Sequence, residues 1–260
     1  MWQKVGNFLS RNRRFIPLAV TALLGFSAYA VGAIFYPGMR DIQVFLNIFR
    51  NNAYLMISAV GMTFVILSGG IDLSVSGVIA LVTVSAAALI RAGWDPWLVI
   101  GLMLLMGMAL GAVMGSFVAF LKVQPFIATL AGMWFARGMC FFISDDAISI
   151  SHPVYTLLGQ TKILIPGLAE LAWKANKAAP FVSIPVVVSL LLVAVAIYIA
   201  HFTRFGRNMY AIGGNEQSAR LMGLPVNSTK VLVYTFSGFC SGLAGIALSI
   251  FVLSGHGLYA

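Results

Sequence analysis

Long apolar runs, each about as long as a lipid bilayer is thick, divide this chain. They cover residues 15–36, 52–90, 97–121, 126–143, 181–201 and 231–253. A helix needs about 20 apolar residues to cross the hydrocarbon layer, and the second run is long enough for two helices. The sequence therefore predicts an all-α membrane protein, a polytopic bundle of about seven transmembrane helices in one domain over residues 1–260.

Composition excludes several other classes of protein. Hydrophobic residues make up 60% of the chain and charged residues 9%, whereas soluble domains carry about 25% charged residues. The net charge of +9 does not indicate nucleic-acid binding, because the basic residues stand at the ends of apolar runs. We find no phosphate-binding loop, no catalytic cluster and no grouping of the three histidines. We therefore expect neither an enzyme nor a metal site.

The distribution of Lys and Arg predicts how the chain is oriented in its membrane. With Arg11, Arg13 and Arg14 in the cytoplasm, alternation places the hydrophilic loop 202–230 inside and the loop 144–180 outside. The inner side then receives Lys4, Lys122, Arg204, Arg207, Arg220 and Lys230, and the outer side Arg40, Arg91, Lys162, Lys174 and Lys177. The first run is longer than the core of a signal peptide, so we expect an uncleaved first helix.

An interruption, Ser68-Gly69-Gly70-Ile71-Asp72-Leu73-Ser74, divides the second apolar run. Adjacent glycines weaken a helix, and a carboxylate within apolar surroundings should face protein or water. One interpretation places Ser68, Asp72 and Ser74 beside a transport pathway, because broken helices are tolerated where they line a cavity. The other is that Asp72 caps the next helix at the cytoplasmic membrane surface by accepting backbone N–H groups. Both interpretations stay open.

Two further features lie within the apolar runs. Arg137 is a translocation-path candidate that could pair with a carboxylate or contact substrate hydroxyls, although its long stem equally suits an interfacial role. Glycines recur every four residues at Gly107, Gly111 and Gly115, and again at Gly238 and Gly242. Such stripes predict close packing of helices.

The 202–230 loop carries the signals of a short helix. Asn215 is a suitable N-cap, Glu216 suits the positive end of the helix dipole, and Gly223 followed by Pro225 ends the helix. The predicted helix, at about 216–222, is too short to be stable alone. It must therefore rest on a partner protein or on its own bundle.

Three stretches together resemble the permease subunits of ribose-type bacterial monosaccharide ABC importers. They are Val60–Val75 (VGMTFVILSGGIDLSV), Pro125–Met133 (PFIATLAGM), and Tyr210–Glu216 (YAIGGNE) followed by Ala219–Gly223 (ARLMG). Within that family the chain looks most like the second permease of the galactofuranose importer, partly through Ser151–Tyr155 (SHPVY).

The resemblance implies a complex in which a periplasmic sugar-binding protein delivers the sugar and two permeases, identical or different, form the pathway. A separate ATP-binding subunit would hydrolyse ATP, so this chain needs no cofactor of its own. The segment resembling the ATPase-coupling helix contains Gly213, Gly214, Asn215, Glu216, Ala219, Arg220, Met222 and Gly223.

The resemblance implies a location in the bacterial inner membrane, and the chain departs from the family pattern at its C-terminal end. Family members continue beyond the position of Ala260, so we expect further C-terminal helices to be missing. The alternative function is an ion-coupled secondary transporter with Asp72 in a broken-helix ion site.

Overall fold

The computed structural model describes residues 16–167, 170 and 178–259, which fall into two compact units that divide after Ile48. The basic residues of the orientation prediction at Lys4, Arg11, Arg13, Arg14, Lys174 and Lys177 lie outside the described residues. The first unit contains helix α1 (Ile16–Phe35), a 3-10 turn (Pro37–Arg40) and the start of α2 (Ile42–Asn51).

Within the first unit, the turn folds back on the end of α1. The Tyr29 hydroxyl donates to the Met39 carbonyl at 2.7 Å, and Arg40 Nε donates to the Ala33 carbonyl at 2.8 Å. No residue of α1 is buried. A helix with apolar side chains on every face is typical of a helix surrounded by lipid.

The second unit is a helical bundle with two short pairs of antiparallel strands. Its helices are α3 (Ala53–Leu67), α4 (Val75–Arg91), α5 (Pro96–Ala119), α6 (Pro125–Ile143), α7 (Pro153–Gln160), α8 (Ile184–Phe202), α9 (Arg204–Gly214), α10 (Glu216–Leu221) and α11 (Val226–Val252). Strand β1 (Ile148–Ser149) pairs antiparallel with β4 (Ser254–Gly255), and β2 (Lys162–Leu164) pairs with β3 (Phe181–Ser183).

The predicted apolar runs all contain helices, which confirms the all-α polytopic fold. Among the described residues, α1, α5, α6, α8 and α11 are long and apolar enough to cross a membrane. The interrupted run forms α3 and α4, with 15 and 17 residues. At a rise of 1.5 Å per residue these two helices are about 22 and 26 Å long, slightly shorter than the hydrocarbon layer.

The boundaries differ from prediction where polar residues join a helix. We expected the last apolar run to begin at 231, but α11 begins at Val226, because Asn227, Ser228 and Thr229 form its polar first turn directly after Pro225. Likewise, the hydrophilic loop 144–180 contains α7 and parts of both strand pairs, and the loop 202–230 contains α9 and α10.

The long helix α11 lies at the centre of the second unit and packs on α3, α4 and α5. Both glycine stripes meet where α5 crosses it. A Cβ atom at Gly111 would lie 2.2 Å from the Tyr234 carbonyl oxygen, and one at Gly238 would lie 2.2 Å from the Gly107 carbonyl oxygen. The two backbones are therefore in direct contact, as the stripes predicted.

The outward surface of the bundle is apolar. Leu105 on α5, Trp134 and Phe142 on α6, and Leu191 on α8 expose 62%, 64%, 86% and 65% of their area. Large side chains so exposed are uncommon on a water-soluble monomer and are normal on a surface that faces lipid.

We predict that Gly111→Val separates α5 from α11 and sharply reduces the yield of folded protein, since overpacking costs about 1–3 kcal/mol or more. Gly101→Val is the matched control on the same helix, because a Cβ at Gly101 meets nothing within 4 Å. Size-exclusion chromatography in detergent gives the yield of monodisperse protein. Equal yields of the two variants would contradict the close crossing.

Candidate functional site

The interruption between α3 and α4 is a closed turn around a buried carboxylate. Gly69 adopts a φ of +80°, a conformation that favours glycine, and the Gly70 N–H donates to the Val65 carbonyl at 2.9 Å. Asp72 is 2% exposed. One of its oxygens accepts from the Ser74 N–H at 2.9 Å and from the Ser74 hydroxyl, and the other accepts from the Ser237 hydroxyl at 2.6 Å. Both carboxylate oxygens are thus engaged by protein.

The Asp72 carboxylate accepts a backbone N–H, but this N–H belongs to Ser74, the N-cap residue of α4, so the bond closes the turn that precedes the helix. Ser237 is eleven residues after Val226, about 16 Å along the axis of α11. Asp72 therefore lies within the bundle beside the middle of α11, where the Ser237 hydroxyl donates a hydrogen bond to it.

Hydroxyl groups on α11 and α6 approach the carbonyl oxygen of Ile71. The Tyr234 hydroxyl of α11 donates to it at 3.3 Å, and the Thr129 hydroxyl of α6 approaches it at 3.5 Å. Side chains from neighbouring helices thus satisfy backbone groups that the break in the helix frees, as an apolar surrounding requires. Ser68, which is also buried, donates to the Val65 carbonyl at 2.8 Å.

Arg137 lies apart from this turn. It is half-buried on α6, and it donates to the Ser76 hydroxyl of α4 at 3.4 Å and to the Gly257 carbonyl at 3.3 Å. These contacts tie α6 to the first turn of α4 and to the segment that follows β4.

Helices α9 and α10, together the loop-helix pair (Arg204–Leu221), occupy the 202–230 loop. The Asn215 side chain accepts from the Ser218 N–H at 2.8 Å, and Gly223 has a φ of +76°, so the predicted cap and the predicted end of α10 are both confirmed. Helix α9 was not predicted. Its signal was Thr203, whose hydroxyl accepts from the Gly206 N–H at 3.2 Å as an N-cap.

An ionic cluster fastens α10 to the start of α11. Glu216 pairs with Lys230 at 2.6 Å and with Arg220 at 2.8 Å, and Arg220 also donates to Asn227 at 3.1 Å. The hydrogen bond from Lys230, followed by that from Arg220, lowers the pKa of the Glu216 carboxyl. The stabilisation that the ionised Glu216 carboxyl contributes is therefore complete above the ordinary carboxyl pKa. It is lost as the pH falls through the lowered pKa of Glu216.

The two sides of α10 face different surroundings. Ala219 is buried against Ile212 and Val226, so this coupling candidate packs on its own chain. Leu221 and Met222 are 84% and 66% exposed, and a Cβ at Gly214 would meet nothing within 4 Å. The helix thus rests on its own bundle and leaves its apolar end exposed.

A polar cavity joins the interruption to the loop-helix pair. It has a volume of about 230 Å³, and Ser68, Gly214, Asn215, Glu216, Lys230 and Tyr234 are among its lining residues. Beside it, the backbone of Gly213 touches the end of α3, since a Cβ there would lie 2.0 Å from the Leu67 carbonyl oxygen. The structure therefore brings two separately predicted motifs together. Among the described residues no three His, Cys, Asp or Glu side chains gather as metal ligands.

We predict that Asp72→Ala destabilises the protein by about 2–3 kcal/mol, because it leaves two buried hydroxyls and a buried N–H without their acceptor. Asp95→Ala is the control, since Asp95 caps α5 in an exposed turn and such caps are worth about 1 kcal/mol. Cys140 and Cys240 are buried, so a thiol-reactive fluorophore reports thermal unfolding in detergent. Equal shifts of the two variants would contradict the buried role of Asp72.

Residues 44–255 match the protein family described as the branched-chain amino acid transport system permease component. The inner membrane ABC transporter permease protein YjfF of Escherichia coli is 42% identical over 247 residues, which are 95% of this chain and 71% of that protein. No solved structure matches.

Sugar permeases are also among the relatives. The ribose import permease protein RbsC of Haemophilus influenzae is 36% identical over 95% of this chain and 71% of its own length. The fructose import permease protein FruG of Bifidobacterium longum is 34% identical over 90% of this chain and 68% of its own length. The chain therefore belongs to this family of multi-pass membrane permeases, with sugar ABC importer permeases as its relatives.

Proposed function

We propose that this chain is the membrane-spanning subunit of an ATP-driven importer that moves a monosaccharide, galactofuranose or a related sugar, into the cytoplasm. A separate ATP-binding subunit would hydrolyse ATP, and a periplasmic sugar-binding protein would deliver the cargo. A second permease, identical or different, would complete the pathway. The relatives named for ribose and fructose import support the cargo class.

The apolar end of α10 carries this proposal. A helix of six residues that is held on its bundle by Glu216, Arg220 and Lys230 but exposes Leu221 and Met222 suits a firm point of attachment for a partner. Exposed apolar anchors within a polar rim are typical of protein interfaces. We assign the partner as the ATP-binding subunit.

The orientation follows from the basic residues at this end of the bundle. Arg204, Arg207 and Arg220 lie in the loop-helix pair, with Lys122 after α5 and Lys230 at the start of α11. Excess Lys and Arg favours the cytoplasm, where an ATP-binding subunit is found. The N-terminus would then also be cytoplasmic.

The state of Asp72 disfavours the ion-coupled alternative. An ion site needs carboxylate oxygens that an ion can reach, whereas both oxygens of Asp72 accept hydrogen bonds from Ser74 and Ser237, and the residue is 2% exposed. The buried polar groups of the interruption stabilise the turn through hydrogen bonds within the protein.

We predict that Leu221→Asp combined with Met222→Asp prevents docking of the ATP-binding subunit and lowers uptake by about tenfold or more, as expected on loss of an apolar anchor. Leu157→Asp is the control, because Leu157 is 68% exposed on α7 in the opposite hydrophilic loop. Co-purification of the complex and uptake of labelled sugar are both measured. Normal co-purification of the double variant would contradict the assignment of this surface.

The energy source gives an independent prediction. In cells that express the complex, depletion of ATP should abolish uptake of labelled galactofuranose, while a protonophore added at maintained ATP should leave initial uptake nearly unchanged. Unlabelled ribose, fructose and arabinose serve as competitors to define the cargo. Uptake that stops with the protonophore and survives loss of ATP would favour the ion-coupled alternative.

A further inference from the structure

A groove between α3 and α8, separate from the polar cavity, reaches the end of the bundle that carries α9. Val60, Phe64, Val193 and Ile197 are among its apolar lining residues, and its volume is about 220 Å³. Ile197 is 54% exposed, so the groove opens on the outward, apolar surface of the bundle. In a bilayer such a groove is filled by lipid acyl chains, which are as apolar as a leucine side chain.

One end of this groove is polar, because His201 and Tyr210 line it there. The Nδ1 atom of His201 lies 3.0 Å from the Ile197 carbonyl oxygen. A carbonyl oxygen can only accept, so Nδ1 carries the proton and Nε2 is left for another group. The Tyr210 hydroxyl forms no hydrogen bond within the part of the chain that the structure describes. Tyrosine at such a boundary between apolar and polar surface is typical of the membrane–water interface.

Two arginines stand beside the polar end of the groove. Arg204 and Arg207 are exposed in the first turn of α9, and Arg207 lies one helical turn before Tyr210 on the same face. Among the described residues, salt bridges form only between Glu216 and its two basic partners, so neither arginine has an acidic partner there. No acidic residue stands in the first turn of α9, where the helix dipole also disfavours positive charge. The described part of the chain thus leaves this positive charge unbalanced.

We propose that the groove between α3 and α8 binds an anionic phospholipid. One acyl chain lies along Val60, Val193 and Ile197, and the phosphate pairs with Arg204 and Arg207. Basic pockets between transmembrane helices on the cytoplasmic side bind anionic lipid head groups, and guanidinium groups pair with phosphate oxygens through two parallel hydrogen bonds. A zwitterionic lipid would bring its own cation against the arginines. The anionic lipid is therefore preferred.

A second groove, between α5 and α6, shows what the polar end adds. It is larger, at about 570 Å³, and only apolar residues line it, among them Leu110, Phe117 and Phe135. Lys122 follows α5 and is also exposed. We expect this groove to take acyl chains of any phospholipid, because it has no polar group to select a head group. Lys122 is therefore the matched control for the two arginines, since it too is a basic residue in a connection between helices.

The first test titrates the full chain, purified in detergent, with phosphatidylglycerol or phosphatidylcholine and counts bound lipid by native mass spectrometry. We expect phosphatidylglycerol to bind about fivefold more tightly or better, and Arg204→Gln and Arg207→Gln each to weaken it about fivefold. Binding of phosphatidylcholine should not change. Lys122→Gln should leave both lipids unaffected. Equal affinity for the two lipids, or an equal loss in Lys122→Gln, would overturn the proposal.

The second test concerns the acyl chain. Val193→Trp fills the groove, and Leu191→Trp is the matched control on the same helix, because Leu191 is outside the lining and largely exposed. We expect Val193→Trp to weaken phosphatidylglycerol about tenfold, as overpacking implies, and Leu191→Trp to have no effect. If Val193→Trp does not fold, the exposed arginine variants still decide the question.

Two further outcomes would contradict a lipid as the occupant. Inorganic phosphate that displaces phosphatidylglycerol, with binding retained in Val193→Trp, would show an anion site that needs no acyl chain. A dimer that Val193→Trp abolishes and that phosphatidylglycerol does not dissociate would show that a second copy of the chain fills the groove. Either result would overturn the proposal.

Discussion

Where α5 crosses α11, the carbonyl oxygens of Gly107 and Tyr234 take the space that side chains would otherwise fill. This backbone contact fixes α11 at the centre of the bundle. The same helix then supplies Ser237 to Asp72, Tyr234 to Ile71 and Lys230 to Glu216. In lipid no water is present to satisfy a misplaced polar group, so the bonds from Ser237 and Tyr234 depend on the position that the glycine crossing sets.

Local signals in the sequence predicted a large part of this structure. Apolar runs located the helices, the glycine spacing predicted a close crossing, and Asn215 with Gly223 bounded α10. All of these depend on residues within one or two helical turns of one another. Such short-range relations are visible in a single sequence.

Long-range partners could not be predicted in the same way. Ser237 is 165 residues from Asp72, and one serine among many gives no sign that it meets a carboxylate. Helix α9 was missed because Gly206, Gly213 and Gly214 suggest a loop, whereas Gly206 and Gly213 are needed for backbone contacts with the ends of α8 and α3.

The two glycine stripes also affect which mutations of the gene the protein tolerates. Every single-base substitution at the first or second position of a glycine codon that yields another amino acid adds at least a Cβ atom. At Gly107, Gly111 and Gly238 that atom would lie within 2.5 Å of a carbonyl oxygen on the facing helix, whereas at Gly101 it would enter open space. We therefore expect fewer amino-acid substitutions at the glycines of α5 that face α11 than at Gly101. Silent changes at the third base of these codons should accumulate at all of them alike.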